Sequence, residues 1–198
     1  MIDIRYFLDR QNAGREKVPE PPIEPTSSHP QTRARHTTVV KADGRTVLDL
    51  MGPKIEPLTS LDEESYCVMK ATIAPDVSIP LHRHGDAESF YVLSGEAQFL
   101  LQGNDGLNWQ TLRPGDFVQI PGDTKHAWRN VSDQPMEALI TTTQRLGSAL
   151  REMGEPSQGC DRRPPTQEDI DRVAEINARY GYWVGSPEEN SALEISLV

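Results

Sequence analysis

Nine short runs rich in Val, Ile, Tyr, Phe and Thr predict an all-β sandwich or barrel in the middle of this 198-residue chain. Residues of those types fit a half-buried pleated surface, and Gly, Pro, Asp and Asn separate the runs at spacings that suit turns. Two further observations frame that domain: five prolines between Pro19 and Pro30 precede it, and one stretch of helical periodicity follows it. The length suits a single domain with extensions better than two independent ones.

Residues 1–45 are expected to form an extended arm. Pro19, Pro21, Pro22, Pro25 and Pro30 fix φ and remove amide donors, which points to a largely non-helical segment suited to lying across another surface, a disordered leader being the alternative. Residues 46–145 hold the predicted strands: Thr46 to Met51, Tyr66 to Ile73, Ser78 to His84, Ser89 to Leu93, Ala97 to Gln102, Trp109 to Leu112, Phe117 to Ile120, Ala127 to Val131 and Met136 to Thr143. Ser94-Gly95-Glu96 and Gly103-Asn104-Asp105-Gly106 read as hairpin turns, since Gly and Asn tolerate positive φ. Residues 146–198 form a C-terminal extension with one helix at about 166–180. Thr166 is its N-cap, Glu168 and Asp169 complement the first turn, and Gly181 lies beyond its end. Ile170, Val173, Ala174, Asn177 and Tyr180 form a mostly apolar stripe expected to dock on the β domain. Tyr182-Trp183-Val184 and the segment from Leu193 to Val198 are apolar enough for burial, a second subunit being one way to cover them.

Thirty acidic against twenty basic residues give a net charge of -10, which opposes binding to nucleic acid or to anionic lipid. The acid excess sits in the middle and the tail, with seven basic and fourteen acidic residues over 46–145 and five and ten over 146–198. No apolar run approaches the roughly 20 residues of a spanning helix, and the polar start lacks a signal-peptide core, so a cytoplasmic protein is expected. Cys67 and Cys160, the only cysteines, read as two reduced thiols rather than a disulfide or thiolate cluster.

The chemistry concentrates in three of the five histidines. His82 and His84 stand at i, i+2, the spacing that aims two strand side chains at one face. Glu88 follows after a Gly85-Asp86 bend, in phase with Phe90 and Val92. His126 arrives from a separate strand. Three neutral imidazoles and a carboxylate make a mixed N/O donor set suited to a divalent transition metal with coordination positions left open for catalysis. Trp128 shares strand parity with His126 and, with Phe90, is a candidate wall for an aromatic ligand; at such positions aromatic rings equally serve as barrel filling. Asp86, Glu96 and Asp116 sit in turn-like contexts and are expected to be solvated. His29 and His36 fall in the arm, as surface residues or as contributors to a neighbouring subunit's pocket mouth.

The segment His82-x-His84-x3-Glu88-x6-Gly95 resembles the first signature of the cupin superfamily, and Gly115-x5-Pro121-x4-His126-x3-Asn130 resembles the second. Asp123 departs from the second, where Gly is usual. The resemblance implies a cupin double-stranded β-helix, a small jelly-roll barrel with a metal near one mouth, and frequently a homodimer. The tail, from Pro164-Pro165-Thr166 to Ala178-Arg179-Tyr180-Gly181, is more loosely similar to extensions of bacterial quercetin-dioxygenase-like cupins. On this footing His82, His84, Glu88 and His126 are the expected ligands of Fe(II), Mn, Ni, Co or Zn. The expected function is a metal-dependent dioxygenase acting on a small molecule with flavonol-, catechol- or enol-like oxygens. Glu88 would double as the catalytic base. The alternatives are a small-molecule-binding cupin without turnover and a metal-dependent isomerase or lyase.

Overall fold

Regular alternation of buried and open positions decides the architecture of the middle of the chain. In the computed structural model residues 37–60, 66–157 and 165–195 are described. The chain divides into residues 1–38 and 39–198, and the first unit is described only at Thr37 and Thr38. The expectations for the proline arm, His29, His36, Cys160 and the last three residues therefore lie outside the described residues.

In chain order the strands are β1 (Leu48–Asp49), β2 (Lys54–Pro57), β3 (Cys67–Ile73), β4 (Ser78–Arg83), β5 (Glu88–Ser94), β6 (Ala97–Gly103), β7 (Gly106–Leu112), β8 (Phe117–Ile120), β9 (His126–Arg129), β10 (Met136–Thr142), β11 (Glu155–Pro156) and β12 (Trp183–Val184). Three helices follow β10: α1 (Gln144–Met153), α2 (Gln167–Tyr180) and α3 (Pro187–Ala192). The strands make two antiparallel sheets, ordered β11-β1-β2-β3-β10-β5-β8 and β12-β4-β9-β6-β7. This is the all-β sandwich that the sequence predicts.

The core lies between the sheets. β3 turns Cys67, Met69, Ala71 and Ile73 inward, β10 turns Met136, Ala138 and Ile140 inward, and β5 adds Phe90 and Val92. From the opposite sheet Phe99 stacks on Trp128 at 5.3 Å between ring centroids, and Phe90 meets both edge-on at 5.2 and 5.1 Å. Such offset and edge-to-face pairs add to the gain from burial alone.

Several elements escape a reading by composition. β2 lies between Pro53 and Pro57, which mask a strand that pairs with β3. Thr143 reads as the last residue of a strand, yet its side chain accepts from Leu146 N and caps α1, a ten-residue helix absent from the expected plan. α2 starts and stops as expected, with a Thr166–Asp169 capping box and Gly181 in the left-handed conformation. Its stripe does not dock flat, however. Asp169 and Ile176 are its buried residues while Ile170 is 46% exposed, because this face borders a cavity. Trp183-Val184 pairs within the same chain, as strand β12 on the edge of β4, but Val184 stays 41% exposed rather than buried.

Two signature residues have structural tasks. Asn130, fully buried, donates to Ile73 O and Gln134 O and accepts from Ser132 N and Oγ, closing the β9–β10 turn. Gly95 sits at φ 68° where a Cβ would stand 2.3 Å from Pro135 O. Gly95→Ala is expected to destabilise the protein by about 3 kcal/mol through left-handed strain and backbone collision. Urea unfolding measures this, and a loss below about 1 kcal/mol contradicts the assigned packing.

Candidate metal centre

Four side chains from both sheets converge at one end of the barrel. His82 on β4 and His126 on β9 are direct cross-strand partners, His84 follows the end of β4, and Glu88 opens β5 in the facing sheet. One ligand atom from each lies within 4.8 Å of the others. Glu88 Oε1 is 2.7 Å from His126 Nε2 and 3.5 Å from His84 Nε2. The rings of His82 and His126 are 4.1 Å apart, and that of His84 stands 5.5 and 5.1 Å from theirs.

The hydrogen bonds around the rings fix which nitrogens face inward. Nδ1 of His82 lies 2.8 Å from Pro80 O, that of His84 2.8 Å from Asp86 O, and that of His126 2.8 Å from Thr124 O. A carbonyl oxygen only accepts, so each Nδ1 carries the proton and donates it. In a neutral ring Nε2 is then a bare lone pair. His126 Nε2 is buried without a hydrogen-bond partner although Glu88 Oε1 is its neighbour. Electron-rich atoms crowded together out of water repel one another unless a cation lies among them. The donor set therefore fits a divalent ion: three oriented imidazole nitrogens and a carboxylate, each ring fixed from behind by a main-chain carbonyl.

Protonation supports the same assignment. Burial, reinforced by His126, pushes the His82 ring down to about 3, which keeps it neutral and ready to coordinate. Burial pushes the Glu88 carboxyl up, but positive charge and donors on the side of His126 and His84 outweigh it and hold the group well below the usual carboxylate range, so Glu88 is ionised as long as a proton or a cation lies among these atoms. Burial lowers the His84 pKa too, yet the Glu88 carboxylate prevails and raises it above the ordinary imidazole value.

A cavity of about 820 Å³ opens onto this cluster. Phe90 and Trp128 line it, as do Ile55, Ala71, Ile140 and, from α2, Val173 and Ala174. His82, His84 and Glu88 supply polar groups to its wall, and no Lys or Arg is among the described residues that line it.

Asp86 corrects one expectation. It is only 6% exposed, not solvated. Its carboxylate accepts from Thr143 Oγ1, from Arg145 Nη1 at 2.7 Å and from Tyr182 Oη at 2.9 Å. Glu96 pairs with Arg113 at the surface, and Asp116 Oδ2 accepts from Arg113 N in the turn before β8. Tyr182, which lines the cavity with its ring 5.4 Å from that of His84, was not singled out. Its only signal in the sequence is its place in a short aromatic run. Asp123, the departure from the second signature, adopts φ 62°. That is the conformation for which Gly is usual, and Asp tolerates it better than most residues.

The raised pKa of His84 sets a pH dependence. Below that pKa the metal-free site holds a proton that an incoming ion must displace, and above it none. Affinity for a divalent metal is expected to fall about tenfold per unit as pH drops below this point, with one proton released per ion. Calorimetry in buffers of differing ionisation enthalpy measures both. Affinity unchanged between about pH 8 and pH 6 contradicts it.

Residues 69–142 match the model of the Cupin_2 family, the cupin domain. Over 61 residues the chain is 39% identical to dimethylsulfoniopropionate lyase DddQ of Ruegeria pomeroyi, covering 31% of this chain and 28% of that protein. Over 66 residues it is 32% identical to acireductone dioxygenase of Bacillus subtilis, covering 32% and 37%. The chain thus spans about a third of the length of these curated relatives. Among solved structures, the Cupin_2 domain of an XRE-family transcriptional regulator from Enterobacter cloacae is 28% identical. The match covers 46% of this chain and 96% of that one, with a TM-score of 0.40. With the family model spanning β3 to β10 and both signatures folded into facing antiparallel sheets, residues 69–142 carry the cupin domain.

Proposed function

We propose that this cupin is a metal-dependent dioxygenase for a small organic molecule bearing adjacent enol-, catechol- or flavonol-like oxygens. The observation that carries the reading is the position of the cluster: three imidazoles and a carboxylate gathered together, with His82, His84 and Glu88 lining a largely apolar cavity. A divalent ion held by His82, His84, Glu88 and His126 would supply Lewis acidity and open positions for a substrate oxygen and dioxygen. Fe(II), Mn, Ni, Co and Zn are all compatible with these donors.

The chain's own groups do the rest. Phe90 and Trp128 present apolar ring surface to the body of the substrate. With no Lys or Arg side chain among the described lining residues, a substrate held as an anion by cationic groups is disfavoured, and recognition falls to shape and to the oxygens beside the cluster. Glu88 beside the bound ion would alternate between ligand and base and accept the hydroxyl proton as the substrate binds. Both atoms of dioxygen enter the product, so no external reductant is consumed. Similarity to acireductone dioxygenases over a third of the chain supports this class. The DddQ match favours a second reading, elimination without oxygen, in which Glu88 abstracts a carbon-bound proton.

Oxygen consumption separates the two. Protein purified anaerobically and loaded with Fe(II) or Ni is expected to take up oxygen with catechols or flavonols. Glu88→Gln, matched for bound metal, is expected to lower kcat by at least about 100-fold. Absence of metal-dependent uptake across a broad panel overturns the dioxygenase, and product release without oxygen establishes the lyase.

A further inference from the structure

The C-terminal extension reaches the metal centre at two points, and both lie directly behind its ligands. The first is Asp86, midway between His84 and Glu88. Its main-chain oxygen accepts the His84 Nδ1 proton, so wherever Asp86 is held, the His84 ring is aimed. Its carboxylate is the meeting point of Thr143 and Arg145, at the start of α1, and of Tyr182, just before β12. The Arg145 guanidinium also donates to Tyr180 O and lies over the Tyr182 ring at 5.1 Å. On either side of Asp86, Asp123 N donates to His84 O at 2.7 Å and Thr142 Oγ1 to Ala87 O at 2.8 Å. The second point is β4 itself. Val184 pairs with His82 across the β12–β4 ladder. Asn190, fully buried, accepts from Leu81 N at 2.8 Å, and Gly185 N donates to Leu81 O at 2.7 Å.

We propose that Asp86 is a positioning residue for the metal site and that Tyr182 completes its clamp, so that the C-terminal extension is a working part of the metal centre. The inference rests on the metal reading above and adds to it. Without the Thr143 and Tyr182 hydroxyls the Asp86 carboxylate would be a buried charge facing Arg145 alone, and the turn carrying His84 and Glu88 would relax toward water. Carboxylates and carbonyls behind a metal-bound histidine fix ring orientation, and their loss commonly lowers metal affinity by about 10- to 100-fold.

The test uses the full chain, Co(II) as probe, and the variants Tyr182→Phe and Asp86→Asn, with Arg113→Ala as a surface control. Chelator competition gives the dissociation constant, the visible Co(II) spectrum reports ligand geometry, and thermal unfolding of metal-free protein reports bulk stability. Tyr182→Phe is expected to weaken Co(II) binding by about tenfold and Asp86→Asn by about 10- to 100-fold, each with an altered spectrum, while Arg113→Ala changes neither. Tyr182→Phe keeps the ring in place, and its metal-free unfolding temperature is expected to stay near that of the parent. If Asp86→Asn fails to fold, Tyr182→Phe still decides. A parent protein that binds Co(II) beside a Tyr182→Phe variant with identical affinity and spectrum overturns the positioning role alone. A parent that binds no divalent metal overturns the metal reading and this inference together.

Discussion

Each of the three site imidazoles donates its Nδ1 proton to a main-chain carbonyl of its own segment: His82 to Pro80, His84 to Asp86, His126 to Thr124. The acceptor in each case is two residues away, so local backbone rather than a distant side chain decides which nitrogen is left bare. That constraint orients the lone pairs toward Glu88 and makes the cluster costly to keep dry unless a cation neutralises it. The surrounding structure serves to keep these short segments in place.

Close backbone approach does part of that work. A Cβ at Gly122 would stand 2.3 Å from Gly85 O, so the turn before His126 rests directly on the turn after His84. Only glycine lets the two ligand-bearing loops touch there. Asp123, at positive φ, then donates its amide to His84 O. The ligand-bearing turns after β4 and before β9 are thus joined through main chain as well as through side chains. The aromatic trio of Phe90, Phe99 and Trp128 sits below, where a rigid floor limits how far the strands carrying Glu88 and His126 can shift.

Much of this was legible in the residues because strand periodicity is a local rule. The i, i+2 spacing of His82 and His84 and the common phase of Glu88, Phe90 and Val92 put the right side chains on the inner face, and α2 declared its ends through Thr166 and Gly181. What stayed hidden depends on partners far away in the chain. Asp86 looked like a solvated turn residue because its three donors come from 57, 59 and 96 positions away. β2 was masked by prolines that an edge-proximal strand tolerates. Thr143 continued a β-favouring Thr run until its hydroxyl turned to cap α1. β11 and β12, two residues each, exist through their neighbours β1 and β4 rather than through any propensity of their own. The α2 stripe was apolar for a cavity wall rather than for close packing, and sequence pattern does not distinguish those two surroundings.

X-ray absorption spectroscopy of the protein loaded with one equivalent of Zn tests the central claim most directly. The account predicts one ion per chain with imidazole-type scattering from three nitrogens and a carboxylate oxygen at about 2.0–2.2 Å. A shell containing sulfur, a purely oxygen shell, or an unbound ion removed by simple desalting would contradict it.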